Sequence, residues 1–285
     1  MSGTLFVVGT PIGNLEDITL RAIRTLKEVD FIAAEDTRRT SKLLAHYEIR
    51  KPLVSVHEHN EHRETPRILE RIGRGESVAL VTDAGTPGIA DPGARLVEAA
   101  RRDNLRVVPI PGPSAVATAL SISGFSADEF AFMGFPPRSG KEREDWLRRL
   151  KSDPRVVVFF EAPHRIERTL SEVMALEAKR PIIICREITK IHEQLVTMVS
   201  GRAEQRQIAK GEFTIVAGPS NRVDEKPMEP VDLVDLFGRL NEHAGLSEGV
   251  ALEIIDKTFN VAPSAVRKAL KRHRISVKQQ NRDPA

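Results

Sequence analysis

Val78-Ala-Leu-Val-Thr-Asp-Ala-Gly-Thr-Pro-Gly-Ile-Ala-Asp-Pro-Gly93 joins a short β-branched run to a loop with three glycines, two prolines and two aspartates between Asp83 and Gly93. A loop of this composition is stiff and exposes backbone, so on a rigid scaffold it suits function, although turn geometry alone also accounts for such residues. Val78 to Val81 reads as a strand, and Asp91 is expected to cap a helix beginning at Pro92, a favoured first helical residue. The pattern occurs twice more. Leu5 to Val8 leads into Gly9 to Leu15 and a helix after Asp17 with Leu20, Ile23 and Leu26 on one face. Arg106 to Ile110 leads into Pro111-Gly-Pro-Ser114 and then Ala115 to Ile122. Three strand, loop and helix units within about 120 residues predict an α/β domain with a largely parallel sheet.

Working outward, a linker over Ser123 to Glu129 precedes a second set of strand-like runs: Phe130 to Phe135, Arg155 to Phe160, Ile182 to Cys185 and Phe213 to Val216. Helical stretches near Glu142 to Leu150 and Arg165 to Leu176 lie between them. Gly218 to Pro230, with three prolines among charges, reads as a further linker, and residues 231 to 275 read as three helices. The expected organisation is an N-terminal α/β domain over residues 1–122, a second α/β domain over 123–222, and a basic helical module over 231–285.

The chain has 285 residues, 40% hydrophobic and 29% charged, with a net charge of +3. Such a composition excludes fibrous and disordered classes and supports about two independently cored domains. Apolar runs such as Val156 to Phe160 fall far short of the roughly 20 residues a membrane helix needs. The segment from Met1 to Gly13 has neither the basic start nor the apolar length of a secretory signal, so the mature chain is expected to begin at Met1. Cys185 is the only cysteine, which precludes an intrachain disulfide and points to the cytoplasm. Charge is uneven: residues 261–285 hold seven Lys/Arg against Asp283, leaving the rest mildly acidic. A basic end of this kind either contacts a polyanion by counterion release or is a solvated helix face. With one Trp, one Tyr and 5% aromatic residues, recognition of RNA is expected to rest on charge and shape rather than on a stacking platform.

In open α/β sheets, ligands gather at the carboxyl ends of strands, where all three glycine loops lie. None is a dinucleotide fingerprint or a Walker A loop, so NAD and ATP are poor candidates.

Gly9-Thr-Pro-Ile-Gly-Asn14, the loop from Thr82-Asp83, and Pro111-Gly-Pro-Ser-Ala115 together resemble the tetrapyrrole methylase superfamily, the class III S-adenosylmethionine methyltransferases. Within it, the branch that methylates the 2′-hydroxyl of a cytidine in 16S rRNA is the most similar. Ala34-Glu-Asp-Thr-Arg38, His57-Glu-His-Asn-Glu61, Phe159-Phe-Glu-Ala-Pro-His-Arg-Ile166, Arg186-Glu-Ile-Thr-Lys190 with His192-Glu193, and Gly211-Glu-Phe-Thr-Ile215 carry that similarity. Residues 3 to 220 are covered. The resemblance implies a two-lobed fold holding S-adenosylmethionine between two α/β domains, a homodimer, and 16S rRNA or the 30S subunit as partner. It also implies cofactor contacts from Pro11, Thr82, Asp83, Gly85, Thr86, Ser114 and Ala115. Thr82-Asp83-Ala84 stands where tetrapyrrole-modifying relatives have Gly-Asp-Pro, which fits the rRNA branch.

Methyl transfer from a sulfonium to a ribose hydroxyl needs positioning, a surrounding suited to the cation, and a route for the proton, but no metal. Glu161, Arg165, Arg186, Lys190 and Glu193 follow second-domain strands and are the candidates. Glu161, Lys190 or Glu193 would assist deprotonation, while Arg165 and Arg186 would hold phosphate. The alternative is structural: Glu161 and Arg165 form an i, i+4 pair that could brace a helix start, and Arg186 to Glu193 could be a charged strand. Glu35 and Asp36 end another strand, where they reach substrate or, in the case of Asp36, cap a helix beside a solvated Arg38. His57, His59 and His62 lack the spacing of a zinc helix and are expected to be hydrogen-bonded or to meet substrate rather than metal. Ser247 to Phe259 and Ser264 to His273 read as a helix pair whose basic second member either clamps RNA or packs.

Overall fold

Val78 to Val81 are all buried, as are Phe31 to Ala34, and strands buried on both faces belong inside a parallel sheet covered by helices. The computed structural model of the protein describes residues 3–177, 180–198, 210–220, 230–243, 247–259 and 263–280. Its first sheet alternates β1 (Thr4–Val8), β2 (Phe31–Ala34), β3 (Leu53–Ser55), β4 (Val78–Val81) and β5 (Arg106–Ile110) with α1 (Leu20–Glu28), α2 (Thr37–His46), α3 (Glu61–Gly73), α4 (Ala94–Arg102) and α5 (Ala115–Ser123). The order is β3-β2-β4-β1-β5, every pairing parallel. Strand alternation sends Ile32, Ala34, Ala79 and Val81 to the face covered by α1 and α2, and Phe31, Ala33, Val78 and Leu80 to the face covered by α3 and α4.

The second sheet contains β6 (Phe130–Phe132), β7 (Val156–Glu161), β8 (Ile182–Arg186), β9 (Gln194–Met198) and β10 (Phe213–Ala217), with α6 (Gly140–Ser152) and α7 (Ile166–Leu176). Its order is β6-β7-β10-β8-β9, parallel only between β6 and β7. Trp146, Leu150, Ile166 and Leu170 cover one face. The other face is covered by α5, whose Val116, Ala119 and Leu120 pack with Val156, Val158, Ile183 and Val216. The helix of the third repeat unit thus seals the second sheet. Its apolar sequence, Ala-Val-Ala-Thr-Ala-Leu, allows contact on more than one side.

The chain separates into two compact units, Met1–Asn221 with both sheets and Arg222–Ala285. In the second, α8 (Pro230–Gly238), α9 (Glu248–Phe259) and α10 (Pro263–Gln280) share a core of Leu233, Leu252, Ile255, Val266 and Ala269. Most of the linker expected over residues 218–230 lies outside the described residues.

Several local expectations are corrected. The helix expected from Pro92 starts at Ala94, with Gly93 before it at φ +121°, and Asp91 does not cap it. The cap comes from α3, because Glu61 Oε1 accepts from Gly93 N and Leu96 N, both at 3.1 Å. The strand from Phe130 ends at Phe132, ahead of Gly134 at φ +59°. Arg186 to Glu193 is mostly a loop, with Glu187 and Thr189 at φ +53° and +69°, and it leads into β9.

Candidate active site

The glycine loops lie side by side because each lets its neighbour approach. A Cβ on Gly9 would stand 2.8 Å from Gly112 Cα, and one on Gly112 would stand 2.8 Å from Gly9 O, so neither position admits a side chain unless the loops part. Thr10 and Gly85 exchange backbone bonds of 2.8 and 3.1 Å, tying the first loop to the second. The first loop also reaches the second sheet, where Asn14 N donates to Thr189 Oγ1 at 3.0 Å.

These loops, the ends of β7 and β10 and Ile188 from the loop after β8 enclose a cleft of about 360 Å³. Its apolar floor is Ile12, Val116 and Ile188, all buried. Of the residues expected to contact the cofactor, Asp83, Gly85, Thr86, Ser114 and Ala115 line the cleft, whereas Pro11 and Thr82 are buried and do not. The Thr82 hydroxyl donates to Glu35 Oε2 at 2.5 Å. Of the second-domain candidates, Glu161 lines the cleft; Arg165, Arg186, Lys190 and Glu193 do not, although Ile188 from the same loop does. The sequence reading singled out Glu35, and the cleft adds Arg39, Asp91, Phe135, Phe160 and Glu212. Asp91 was legible only as a cap, because the left-handed Ala90 beside it, at φ +61°, has no sequence signature.

The first-lobe wall is acidic. Burial, then the neighbouring charges of Glu35 and Asp83, push the Asp91 carboxyl up to about 6, with the Thr82 hydroxyl opposing. Burial and Glu35 also raise Asp83, with Arg39 opposing from 3.3 Å. Such a wall suits a cationic ligand.

The candidates of the second lobe are committed to one another. Glu161 has a fully buried side chain that accepts from Ala162 N at 2.8 Å and from Thr169 Oγ1 at 2.5 Å and pairs with Arg165 at 3.2 Å. Glu193 accepts from Thr189 N at 2.6 Å. Burial opposes the charge on Lys190, but hydrogen bonds to Glu212 and Glu187, at 2.9 and 3.0 Å, prevail and hold its ammonium above the ordinary range. Arg186 donates to Lys210 O at 2.7 Å and to Gln194 Oε1 at 3.0 Å.

Asp36 caps α2 through Arg38 N at 2.8 Å, and Arg38 is solvated. In the histidine segment, Asn60 accepts from His57 N at 2.8 Å, and the described residues contain no cluster able to hold a metal.

The family model for Tetrapyrrole (Corrin/Porphyrin) Methylases matches residues 4–204. Relatives named Ribosomal RNA small subunit methyltransferase I include that of Bacillus subtilis, 47% identical over 230 residues, 79% of this chain and 78% of the relative. That of Halalkalibacterium halodurans is 46% identical over 226 residues, 78% of each chain. That of Escherichia coli O157:H7 is 39% identical over 256 residues, 88% of this chain and 89% of the relative. Among solved structures, diphthine synthase superposes with a TM-score of 0.60 at 15% identity, over 76% of this chain and 90% of the other. A cobalt precorrin-4 methyltransferase gives 0.57 at 16%, over 75% and 94%. These two likenesses are of fold.

Proposed function

The chain belongs to the tetrapyrrole methylase family, and from that premise we propose that it transfers a methyl group from S-adenosylmethionine to small-subunit ribosomal RNA. The observation that carries this reading is the 39–47% identity, over most of the chain, to relatives named for that activity. The acceptor we assign is the 2′-hydroxyl of a cytidine in the decoding region of 16S rRNA, met as free RNA or in the 30S subunit. Thr82-Asp83-Ala84 in place of Gly-Asp-Pro supports an RNA rather than a tetrapyrrole substrate. The reading includes a homodimer, and the cytoplasm, where that substrate resides.

The residues present fit the cofactor. Gly85, at φ +89°, keeps the second loop open, the floor is apolar, and the acidic wall compensates a sulfonium. Asp83, Gly85, Thr86, Ser114 and Ala115 would hold it, supported from behind by Pro11 and Thr82. When bound, S-adenosylmethionine supplies a methyl carbon carried on a cationic sulfur, open to in-line displacement.

The proton of the attacking hydroxyl needs an acceptor. Glu161 is saturated with donors, Lys190 is held charged, and Glu193 lies outside the cleft and caps a turn. Asp91 lines the cleft and its carboxyl is pushed up to about 6, so it takes that role in this reading. Arg165 and Arg186, once candidates for phosphate contact, serve better as braces.

Tritiated methyl transfer tests the proposal on 30S particles, free rRNA and a precorrin. The expected result is label in alkali-resistant dinucleotides from RNA. Label in the precorrin alone, or no heat on titrating S-adenosylmethionine into the protein, would overturn it.

A further inference from the structure

The segment after β6 is pinned at almost every residue. Met133 O accepts from Trp146 Nε1 at 3.2 Å, and Gly134 O from Phe160 N at 2.9 Å. Pro136 O accepts from Arg165 Nη2, and Pro137 O from Arg143 Nη1 at 2.8 Å and Arg165 Nη2 at 3.2 Å. Behind these donors, Arg143, 3% exposed, also reaches Thr169 Oγ1 at 2.8 Å and Glu172 at 2.5 Å, and the Thr169 hydroxyl donates a hydrogen bond to Glu161. Burying so many charged groups costs free energy unless each is paired, and here the paired set holds five consecutive residues in place.

In the middle of that segment stands Phe135. It is 53% exposed, lines the cleft, and leans on Phe160 at 5.4 Å between ring centroids; Phe160 in turn meets Phe132 at 5.0 Å. An aromatic ring displayed to solvent on a rigid, heavily anchored loop loses burial that a partner would restore. The partner enters from the open side. The enclosed floor of the cleft is aliphatic, whereas Phe135 and, on the other lobe, Ile89 at 44% exposure belong to its accessible part. A nucleotide presented to the cleft from a single-stranded loop brings an unstacked base to this rim, and such a base seeks an aromatic face.

The geometry points to Phe135 as the stacking surface for the nucleobase of the target nucleotide. This rests on the RNA reading given above. The same ring face could instead receive the adenine of the cofactor, and the experiment separates the two.

The wild-type protein, Phe135→Leu and Phe135→Tyr are compared in methyl transfer to small subunits lacking the modification, and in calorimetric titration with S-adenosylhomocysteine. Leucine retains apolar volume without a π face, so kcat/KM for the RNA substrate should fall roughly tenfold or more, with tyrosine within about twofold of wild type. Nucleoside affinity should be unchanged in both variants. An undiminished kcat/KM in Phe135→Leu, or a loss confined to S-adenosylhomocysteine affinity, overturns the assignment. Absence of transfer by the wild-type protein itself overturns the RNA reading and this one with it, and is distinguished because the control arm fails.

Discussion

Asp91 combines a cost with a use. Its carboxyl is pushed up to about 6, above the ordinary aspartate value of 3.8, by burial and by the charges of Glu35 and Asp83. A proton acceptor must be ionised, so methyl transfer should rise through pH 6 and level off above it. Asp91→Asn should remove that limb and lower kcat while leaving affinity for S-adenosylhomocysteine, whose sulfur is uncharged, nearly intact, which a pH profile and a calorimetric titration would check. The stability effect has the opposite sign. Between pH 3.8 and about 6 the folded state binds more protons at this site than the unfolded chain, so the group makes stability fall as pH rises through that window. Asp91→Asn should therefore raise the urea midpoint at pH 7.5 relative to wild type, and an equal or lower midpoint would refute this account. None of this was legible locally, since Asp91-Pro92 reads as a cap and a first turn. The cap proved to be Glu61, thirty-two residues away in sequence.

At the scale of elements, the sequence was most informative where a pattern repeats. The three strand, glycine loop and helix units fixed the parallel sheet and the placing of the loops at its carboxyl edge. Short elements escaped: β3 spans three residues, and β9 follows charged residues that mask its alternation. The i, i+4 spacing of Glu161 and Arg165 made an ion pair readable, and the two side chains meet at 3.2 Å. What the pair holds could not be read, because Arg143 comes from a different helix and the carbonyls of Pro136 and Pro137 carry no side-chain signal. Arg143→Met should cost about 2 kcal/mol, since it removes a buried donor to Glu172, Pro137 O and Thr169, although Glu172 keeps Arg168 at 2.9 Å and Pro137 O keeps Arg165 at 3.2 Å. Trp146, buried in the same layer, supplies the fluorescence to follow denaturant unfolding, and a loss below about 1 kcal/mol would show that the network contributes little.

Over the whole molecule, charge and core are distributed unequally. Arg267, Lys268, Lys271 and Arg272 are exposed on α10, while Val266 and Ala269 face its core. If that face touches phosphate, changing all four to glutamine in the full-length chain should flatten the log–log salt dependence of RNA binding by about 0.7 to 0.9 per lost contact. An unaltered slope would give the helix a packing role only. Overall charge revealed the basic end, but not which side of a helix presents it, since that depends on the partner helices.

The helix α5 begins in the wall of the cleft and packs Val116, Ala119 and Leu120 under the second sheet, and Ile12 of the first loop joins the same core. The two jaws therefore share their hinge material. A bite that opened widely would have to tear this common packing apart, so small ligands should dock into a socket already cast. Stopped-flow traces with a fluorescent nucleoside analogue should then show observed rates that climb in a straight line with ligand concentration, without the plateau that betrays a slow closing step.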